Sequence, residues 1–244
     1  MDAIGLVEKI DNIINEDYKI DNTIFENVFF EQLQPEKNRK GFMVFAEKVD
    51  NFEMDALYPY RRRYYYVEKL NDNENGKKII FVLFNCSTSN PDKLDATVKN
   101  CGLLAKKNNY SQIEVLNLFS VRNSNVDEIN EDDLINDDFN FKFITELLKS
   151  RKNCNIVLAW GYGKESKKMK SSKANKDIII VNKIEKFRRN ISNFKTHNNI
   201  KYLSYKFDTE EKDNYLKQRH PGNFAWNSIG GFKNFAVLTD YNEQ

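Results

Sequence analysis

The feature that most constrains the fold is an alternation of apolar strands with amphipathic helices, which begins at Lys78. Lys78–Phe84 (KIIFVLF) is a continuous apolar run, typical of a parallel strand buried on both faces. Further strands are predicted at Ile113–Leu118, Asn155–Trp160 and Ile200–Tyr205, and helices at Ala96–Asn108, Phe139–Lys149 and Lys176–Phe194. This order predicts an α/β three-layer sandwich around a central four-stranded, mainly parallel sheet with right-handed crossovers.

The N-terminal part of the chain has a different pattern. Apolar residues at helical spacing from Ile4 to Ile14, behind a plausible N-cap at Asp2, predict an amphipathic helix. Three β-rich segments follow at Ile24–Phe30, Phe42–Val49 and Arg62–Leu70, and a short strand is predicted at Phe235–Leu238. We expect residues 1–60 to form a helix and an antiparallel β extension packed on a core domain of residues 61–244, in one continuous globular unit.

Composition excludes several classes of protein. The chain has three cysteines without a Cys-x-x-Cys pair, and two histidines, so we predict no zinc site, no other metal and no cofactor. Sparse cysteines suit a reducing cytosol, and neither a signal peptide nor an apolar run of membrane-spanning length is visible. The sequence therefore predicts a soluble cytoplasmic protein without a membrane partner, and leaves its oligomeric state open.

Charge is distributed unevenly, although the net charge is only +2. Residues 164–195 contain 11 Lys or Arg against 3 Asp or Glu, and residues 126–146 contain 8 acidic residues against one lysine. A concentrated basic stretch can attract a phosphate backbone. The alternative is a solvated, lysine-rich helix face.

Polar and aromatic side chains follow the predicted parallel strands. The first strand ends in Asn85-Cys86-Ser87-Thr88-Ser89-Asn90, the second in Asn117-Leu118-Phe119, and the third in Trp160-Gly161-Tyr162. Arg219-His220-Pro221 follows the fourth strand. Ligands of such sheets bind outside the carboxyl ends of the strands, where amides and an imidazole can hydrogen-bond a planar ring and aromatic rings can stack on it.

The same segments resemble an uncharacterised family with the successive motifs R-Y-x-L, N-P-S-T-A-D, D-P-T-I-R-R-C, N-L-F-x-x-R, W-G and H-P. This chain has NCSTSN, DATVKNC, NLFSVR, AWG and RHP in that order, within about residues 60–225. The order also resembles the uracil-DNA-glycosylase superfamily, in which a water-positioning strand end, an L-L-N strand end, an L-L-W-G strand and an H-P-S loop follow one another. The resemblance implies a uracil-DNA-glycosylase-like fold and DNA as the partner.

By this resemblance, Asn85 would hold the attacking water, with Asp92 as a nearby carboxylate. His220 would donate a hydrogen bond to the departing base, an oxyanion-hole type of role. Asn117 would pair with the edge of a flipped base and Phe119 would stack on it. Further candidates for contact with the base or substrate are Ser87, Thr88, Arg122, Trp160 and Tyr162. Candidates for contact with the DNA backbone are Lys164, Lys167, Lys168 and Arg219.

Each assignment has a structural alternative. His220 and Asn117 can serve only to hydrogen-bond neighbouring backbone, Asp95 suits the N-cap of the following helix, and Trp160 suits the core. The chain also departs from both patterns. Cys86 replaces the proline of the uncharacterised family, and Asn85 stands where the most efficient glycosylases have a carboxylate.

Three functions are compatible with these observations. The leading hypothesis is a DNA-glycosylase-like enzyme that flips and excises a base, which can be a modified one. The second is a non-catalytic module that binds nucleic acid or a nucleotide. The third is a hydrolase or transferase that acts on a small nucleoside-like molecule.

Overall fold

The structure is a computed structural model that describes residues 2–20, 27–34, 39–48, 59–73, 76–123, 128–161, 174–205 and 236–241. Within these residues eight strands form one mixed sheet in the order β1-β2-β3-β5-β4-β6-β7-β8. The strands are β1 Val28–Gln32, β2 Lys40–Lys48, β3 Tyr60–Lys69, β4 Lys78–Cys86, β5 Gln112–Arg122, β6 Asn155–Leu158, β7 Asn199–Tyr205 and β8 Ala236–Asp240.

Four neighbouring strands of the sheet are parallel. β4 lies between β5 and β6, and β7 pairs with the outer edge of β6, all in parallel register. β4 is buried along nearly its whole length and β5 along all of it, as expected for strands covered on both faces. The parallel strands thus account for the continuous apolar runs in the sequence.

The predicted fold class is wrong in its central claim. The sheet is not a four-stranded, mainly parallel sheet with an added extension, because β1, β2 and β3 continue it in antiparallel order and β3 pairs directly with β5. β8 adds a further antiparallel strand beside β7. The physical reason is that β3 is a central strand. Its residues Tyr64–Val67 are buried, because β2 and β5 pair with its two edges and apolar side chains cover both of its faces. The broader α/β assignment stands.

Helices cover both faces of the sheet. They are α1 Ala3–Asn15, α2 Ala96–Lys107, α3 Glu131–Ile135, α4 Asp138–Ser150, α5 Ala174–Arg189 and α6 Ile191–Lys195. α2 packs on one face, which we call the α2 face, and buries Val98, Cys101 and Leu104 there. α1, α4, α5 and α6 pack on the opposite face, the α4 face. No helix in the described part of the chain is long and apolar enough to cross a membrane.

The structure confirms one predicted boundary of a helix and moves two others. Asp2 caps α1 by accepting a hydrogen bond from the Gly5 amide (2.7 Å), which confirms the predicted helix start. The single helix predicted over Lys176–Phe194 is interrupted at Asn190, between α5 and α6. The strand predicted to end at Leu118 continues to Arg122, because its last residues pair with β3.

A buried polar network attaches α1 to the sheet. The Arg151 guanidinium contacts the Glu114 carboxylate of β5 at 3.0 Å and the Asp11 carboxylate of α1 at 2.5 Å. Tyr18, just after α1, donates to Gln112 at 2.8 Å, and Gln112 donates to Glu114 at 2.9 Å. The N-terminal helix is therefore held by charge pairs as well as by apolar packing.

Candidate functional site

The candidate site lies at the carboxyl ends of β4 and β5. The chain leaves β4 toward α2 on one face of the sheet, whereas it leaves β6, the neighbour of β4, toward α5 on the other face. In α/β sheets, ligands bind at the carboxyl ends of adjacent strands that show such a reversal. The loop of residues 87–95, between β4 and α2, forms one wall of this edge.

Asn85 joins the ends of the two central strands. Its side-chain amide donates to the carbonyl of Cys86 (3.1 Å) and to that of Asn123 (2.6 Å), and the Asn123 amide donates to the Cys86 carbonyl (2.9 Å). The amide nitrogen of Asn85 is thus engaged with the backbone. The side chain is only partly buried.

Internal hydrogen bonds shape the loop that follows. Asp95 accepts from the Val98 amide at 2.8 Å, which confirms the predicted N-cap of α2, and the Ser89 hydroxyl accepts from the Asp95 amide at 2.8 Å. The Asn90 side chain accepts from the backbone amides of Asp92 and Lys93. The Asp92 carboxylate accepts a short hydrogen bond from Gln34, in the segment after β1. The side chains of residues 87 and 88, both predicted site residues, are partly exposed.

Two buried arginines hold this loop from the neighbouring strands. Arg63 of β3 donates to the Ser89 carbonyl (3.2 Å), and Arg122 of β5 donates to the Thr88 carbonyl (3.2 Å). The Arg122 guanidinium also lies over the Phe45 ring, 5.4 Å from its centroid. Two positive charges therefore approach adjacent residues of one loop on the α2 face.

Cys86 lies beside these arginines. Its thiol donates to the Arg63 carbonyl at 2.9 Å. Burial raises the pKa of the thiol to about 11, against the lowering influence of the positive charges on Arg63 and Arg122. The thiol is therefore protonated at neutral pH and acts as a hydrogen-bond donor that ties β4 to β3.

The side-chain amide of Asn117 is buried and forms no hydrogen bond with the described residues. Asn117 is 1% exposed, and among the described residues neither its side-chain nitrogen nor its oxygen has a hydrogen-bond partner. It pairs in register with Leu83 of β4, and alternation along β5 places it with Ile113 and Val115 on the α2 face. Leaving such a group unpaired costs about 1–3 kcal/mol, so the position favours a polar ligand.

We call Arg63, Asn85, Cys86, Ser89, Asn117 and Arg122 the edge cluster. Five of its members come from three strands, and the loop before α2 supplies Ser89. Three motifs that are far apart in sequence thus lie on adjacent strands, toward the same edge of the sheet. No group of three or more His, Cys, Asp or Glu side chains in the described part of the chain could hold a metal ion.

A second polar network occupies the α4 face near the same edge. The buried Asp137 carboxylate accepts from Arg62 (3.1 Å), from the Ser120 amide (2.9 Å) and from Lys183 (3.1 Å). Asn140 donates to the carbonyls of Asn117 and Leu118 at 2.9 and 3.2 Å. Burial lowers the pKa of the Lys183 ammonium, although Asp137 opposes this shift.

Two predicted stacking residues lie in the core on the α4 face. Phe119 is fully buried and packs on Phe84 with ring centroids 5.2 Å apart. The Lys183 ammonium lies over the Phe119 ring, 4.6 Å from its centroid. Trp160 is 3% exposed and meets Phe187 edge-on at 5.8 Å. The structure therefore separates both rings from Asn117, which faces the α2 side.

The remaining predicted site residues lie outside the described residues. They are Tyr162, Lys164, Lys167, Lys168, Arg219 and His220. Because these residues are not described, the edge cluster contains residues of β3, β4, β5 and the loop before α2 alone.

A family model described as a protein of unknown function (DUF1643) matches residues 63–204, more than half of the chain. The chain belongs to the DUF1643 family. This agrees with the resemblance to an uncharacterised family, and the DUF1643 match begins at Arg63 and includes Asn85, Asn117 and Arg122. No curated protein and no solved structure was found to match the chain.

Sequence reasoning missed some of the residues that build this edge. Arg63 carried a signal, since it is the arginine of the R-Y motif that precedes Tyr64. Arg62, Asp137 and Lys183 carried none, because the contacts between them join β3, α4 and α5 across long stretches of sequence. Only the folded chain brings such charges together.

Proposed function

We propose that this chain is a DNA-glycosylase-like protein that takes one nucleobase into the edge cluster and hydrolyses its N-glycosidic bond. The observation that carries this proposal is the buried amide of Asn117, which has no hydrogen-bond partner among the residues that the structure describes. An amide offers a donor beside an acceptor, which complements a base edge that presents an acceptor beside a donor. The resemblance of the strand-end motifs to the uracil-DNA-glycosylase superfamily supports the same proposal.

The proposed reaction adds water across the bond between the sugar carbon and the base nitrogen. The water oxygen bonds to the carbon, the electron pair of the broken bond goes to the base, and the base takes up a proton. Charge therefore develops on the departing base, and a hydrogen-bond donor near its oxygen lowers the barrier. By resemblance this donor is His220, Asn85 orients the water, and Asn117 holds the base.

One observation favours binding without hydrolysis as a second candidate. The groups proposed to handle the water are an amide, Asn85, which cannot accept a proton from water, and a carboxylate, Asp92, which accepts a hydrogen bond from Gln34. A protein with these groups can retain a base without releasing it. The basic residues from Lys164 to Lys195 suit DNA as the partner of either candidate.

The test is base release from DNA. Single strands and duplexes that contain uracil, hypoxanthine or a hypermodified pyrimidine would be incubated with the native chain, Asn117→Ala and His220→Ala. We expect the native chain to release one of these bases. Asn117→Ala should lower the rate about 10- to 100-fold and His220→Ala about 100- to 1,000-fold, since each removes hydrogen bonds to the reacting base.

Asn155→Ala provides a matched control. Asn155 also has a buried side-chain amide on a strand, but it is the first residue of β6 and so lies at the amino ends of the parallel strands. There it donates to the Tyr110 hydroxyl at 2.6 Å. Its replacement should leave base release unchanged. Release that persists in Asn117→Ala would contradict the proposal, and salt-dependent DNA binding without release from any substrate would support the second candidate.

A further inference from the structure

Arg63 is a buried positive charge that has no negative partner in the described part of the chain. It is 1% exposed, and no described carboxylate lies within 4.0 Å of its guanidinium. Its described acceptor is the neutral carbonyl of Ser89, and its Nε atom is buried without a hydrogen-bond partner. An arginine cannot lose its charge inside a protein, and an uncompensated buried ion costs several kcal/mol.

Two other buried arginines, Arg62 and Arg151, lie beside carboxylates. Arg62 contacts Asp137 at 3.1 Å and Glu47 at 2.6 Å. Arg151 contacts Glu114 at 3.0 Å and Asp11 at 2.5 Å. The state of Arg63 is therefore not a general property of arginine in this fold, and it calls for a local explanation.

The surroundings of Arg63 favour an anion. Arg122 brings a second guanidinium to the same loop, since it donates to Thr88, the residue before Ser89. The thiol of Cys86 points its proton at the Arg63 carbonyl and supplies no negative charge. Asn85, Ser87 and Thr88 at this loop are partly exposed, so the loop is reachable from solvent.

We infer that Arg63 is the anion-binding group of the edge cluster and that the anion is a phosphate group of the ligand. A phosphate group can bind two neighbouring guanidinium groups at once, because its several oxygens accept hydrogen bonds from the planar N–H donors of both. Arg63 and Asn117 lie on the α2 face of the neighbouring strands β3 and β5. A nucleotide would thus contact Arg63 with its phosphate and Asn117 with its base. The assignment of the base to Asn117 rests on the proposed function.

The first experiment measures thermal unfolding in inorganic phosphate against sodium chloride of equal ionic strength. We expect phosphate to raise the Tm of the native chain with the logarithm of its concentration, as a ligand of the folded state does. Arg63→Met should abolish this rise. It should also leave the Tm without phosphate unchanged or higher, because an apolar side chain replaces an uncompensated charge.

Arg151→Met is the matched control for a buried arginine. It leaves the Glu114 carboxylate without its positively charged partner, so its Tm without phosphate should fall while the response to phosphate persists. A phosphate response retained by Arg63→Met would overturn the inference. So would failure of Arg63→Met to fold, since this would show that the guanidinium stabilises the ligand-free chain.

The source of the phosphate is resolved by three probes: thymidine, thymidine 5′-monophosphate and a dinucleotide with one internal phosphodiester. Tighter binding of the monophosphate than of the dinucleotide indicates a free nucleotide, and the reverse indicates a nucleic-acid strand. We expect Arg63→Met to weaken the preferred phosphate-bearing probe about tenfold or more and to leave thymidine unaffected. An equal loss for thymidine would contradict a phosphate contact.

This design separates the anion site from the proposed function. Asn117→Ala should retain the response to inorganic phosphate, because it leaves both arginines in place. If phosphate binds through Arg63 but no base is released, the anion site stands and the glycosylase proposal fails. If a base is released and Arg63→Met keeps its phosphate response, the glycosylase proposal stands and the anion site fails.

Discussion

At the scale of single residues, the chain buries polar groups in two distinct ways. Arg62, Arg151 and Asp137 are enclosed with oppositely charged partners, which compensate their charges inside the protein. Among the described residues, Arg63 has no carboxylate partner and the Asn117 side chain has no hydrogen-bond partner. Because unpaired polar groups are costly in a protein interior, the second kind marks the part of the molecule that we assign to a ligand.

The tyrosines of β3 give a prediction for alkaline pH. Burial raises the pKa of Tyr64, Tyr65 and Tyr66 above the ordinary value of 10.0. In the unfolded chain these phenols ionise near pH 10, whereas in the folded chain they keep their protons. Their contribution to stability is therefore complete below pH 10 and is lost as the pH rises above it, by about 1.4 kcal/mol per pH unit for each tyrosine.

Urea unfolding at a series of pH values, followed together with tyrosinate absorbance, measures this effect. Tyr65→Phe removes one of the titrating groups and should make the decline above pH 10 shallower. Ionisation of Tyr64, Tyr65 and Tyr66 near pH 10 in a chain that remains folded would contradict the burial of this strand.

At the scale of elements, α1 belongs to the core of the molecule. Its residues Leu6 and Ile10 are fully buried, whereas Ile4 on the same helix is 57% exposed. Ile10→Ala should lower the free energy of unfolding by about 2–5 kcal/mol, because it leaves a cavity against the sheet. Ile4→Ala should change it by less than about 0.5 kcal/mol, and equal effects in urea unfolding would show that α1 is not packed as described.

Elements could be predicted from the sequence better than their partners. The apolar run of β4 and the caps Asp2 and Asp95 are local signals, and each gave a correct position. The pairing of β3 with β5 is not local, and the continuation of β5 to Arg122 depends on it. Alternating tyrosines indicate a strand with two usable faces, but they do not indicate which strand lies beside it.

The sequence also predicts only some residues of the candidate site correctly. Asn85 and Asn117 were identified because strand ends in α/β sheets collect ligand-binding residues. Stacking on the base is expected of Phe119 on the same basis, but the structure buries its ring on the α4 face. Trp160 is buried on that face as well, in agreement with the core position that the sequence favours for it. The irregular register between β3 and β5, which changes the alternation of side chains near Phe119, could not be deduced from the sequence.

At the scale of the whole molecule, the mixed sheet brings distant motifs to one place. The antiparallel strand β3 supplies Arg63, the parallel strands β4 and β5 supply Asn85, Asn117 and Arg122, and the loop before α2 lies between them. A sheet of the four parallel strands alone would lack Arg63. The N-terminal strands are therefore part of the architecture that builds the edge cluster, as well as part of the core.

The most direct test of this account is a change of base preference in Asn117→Asp. The amide of Asn117 presents a donor and an acceptor, whereas an ionised carboxylate presents acceptors only. We predict that binding shifts from bases with an acceptor beside a ring N–H, such as uracil or hypoxanthine, toward bases with an exocyclic amino group, such as cytosine or adenine. Binding measured on matched oligonucleotides that either stays unchanged or weakens equally for all bases would show that Asn117 does not read the base.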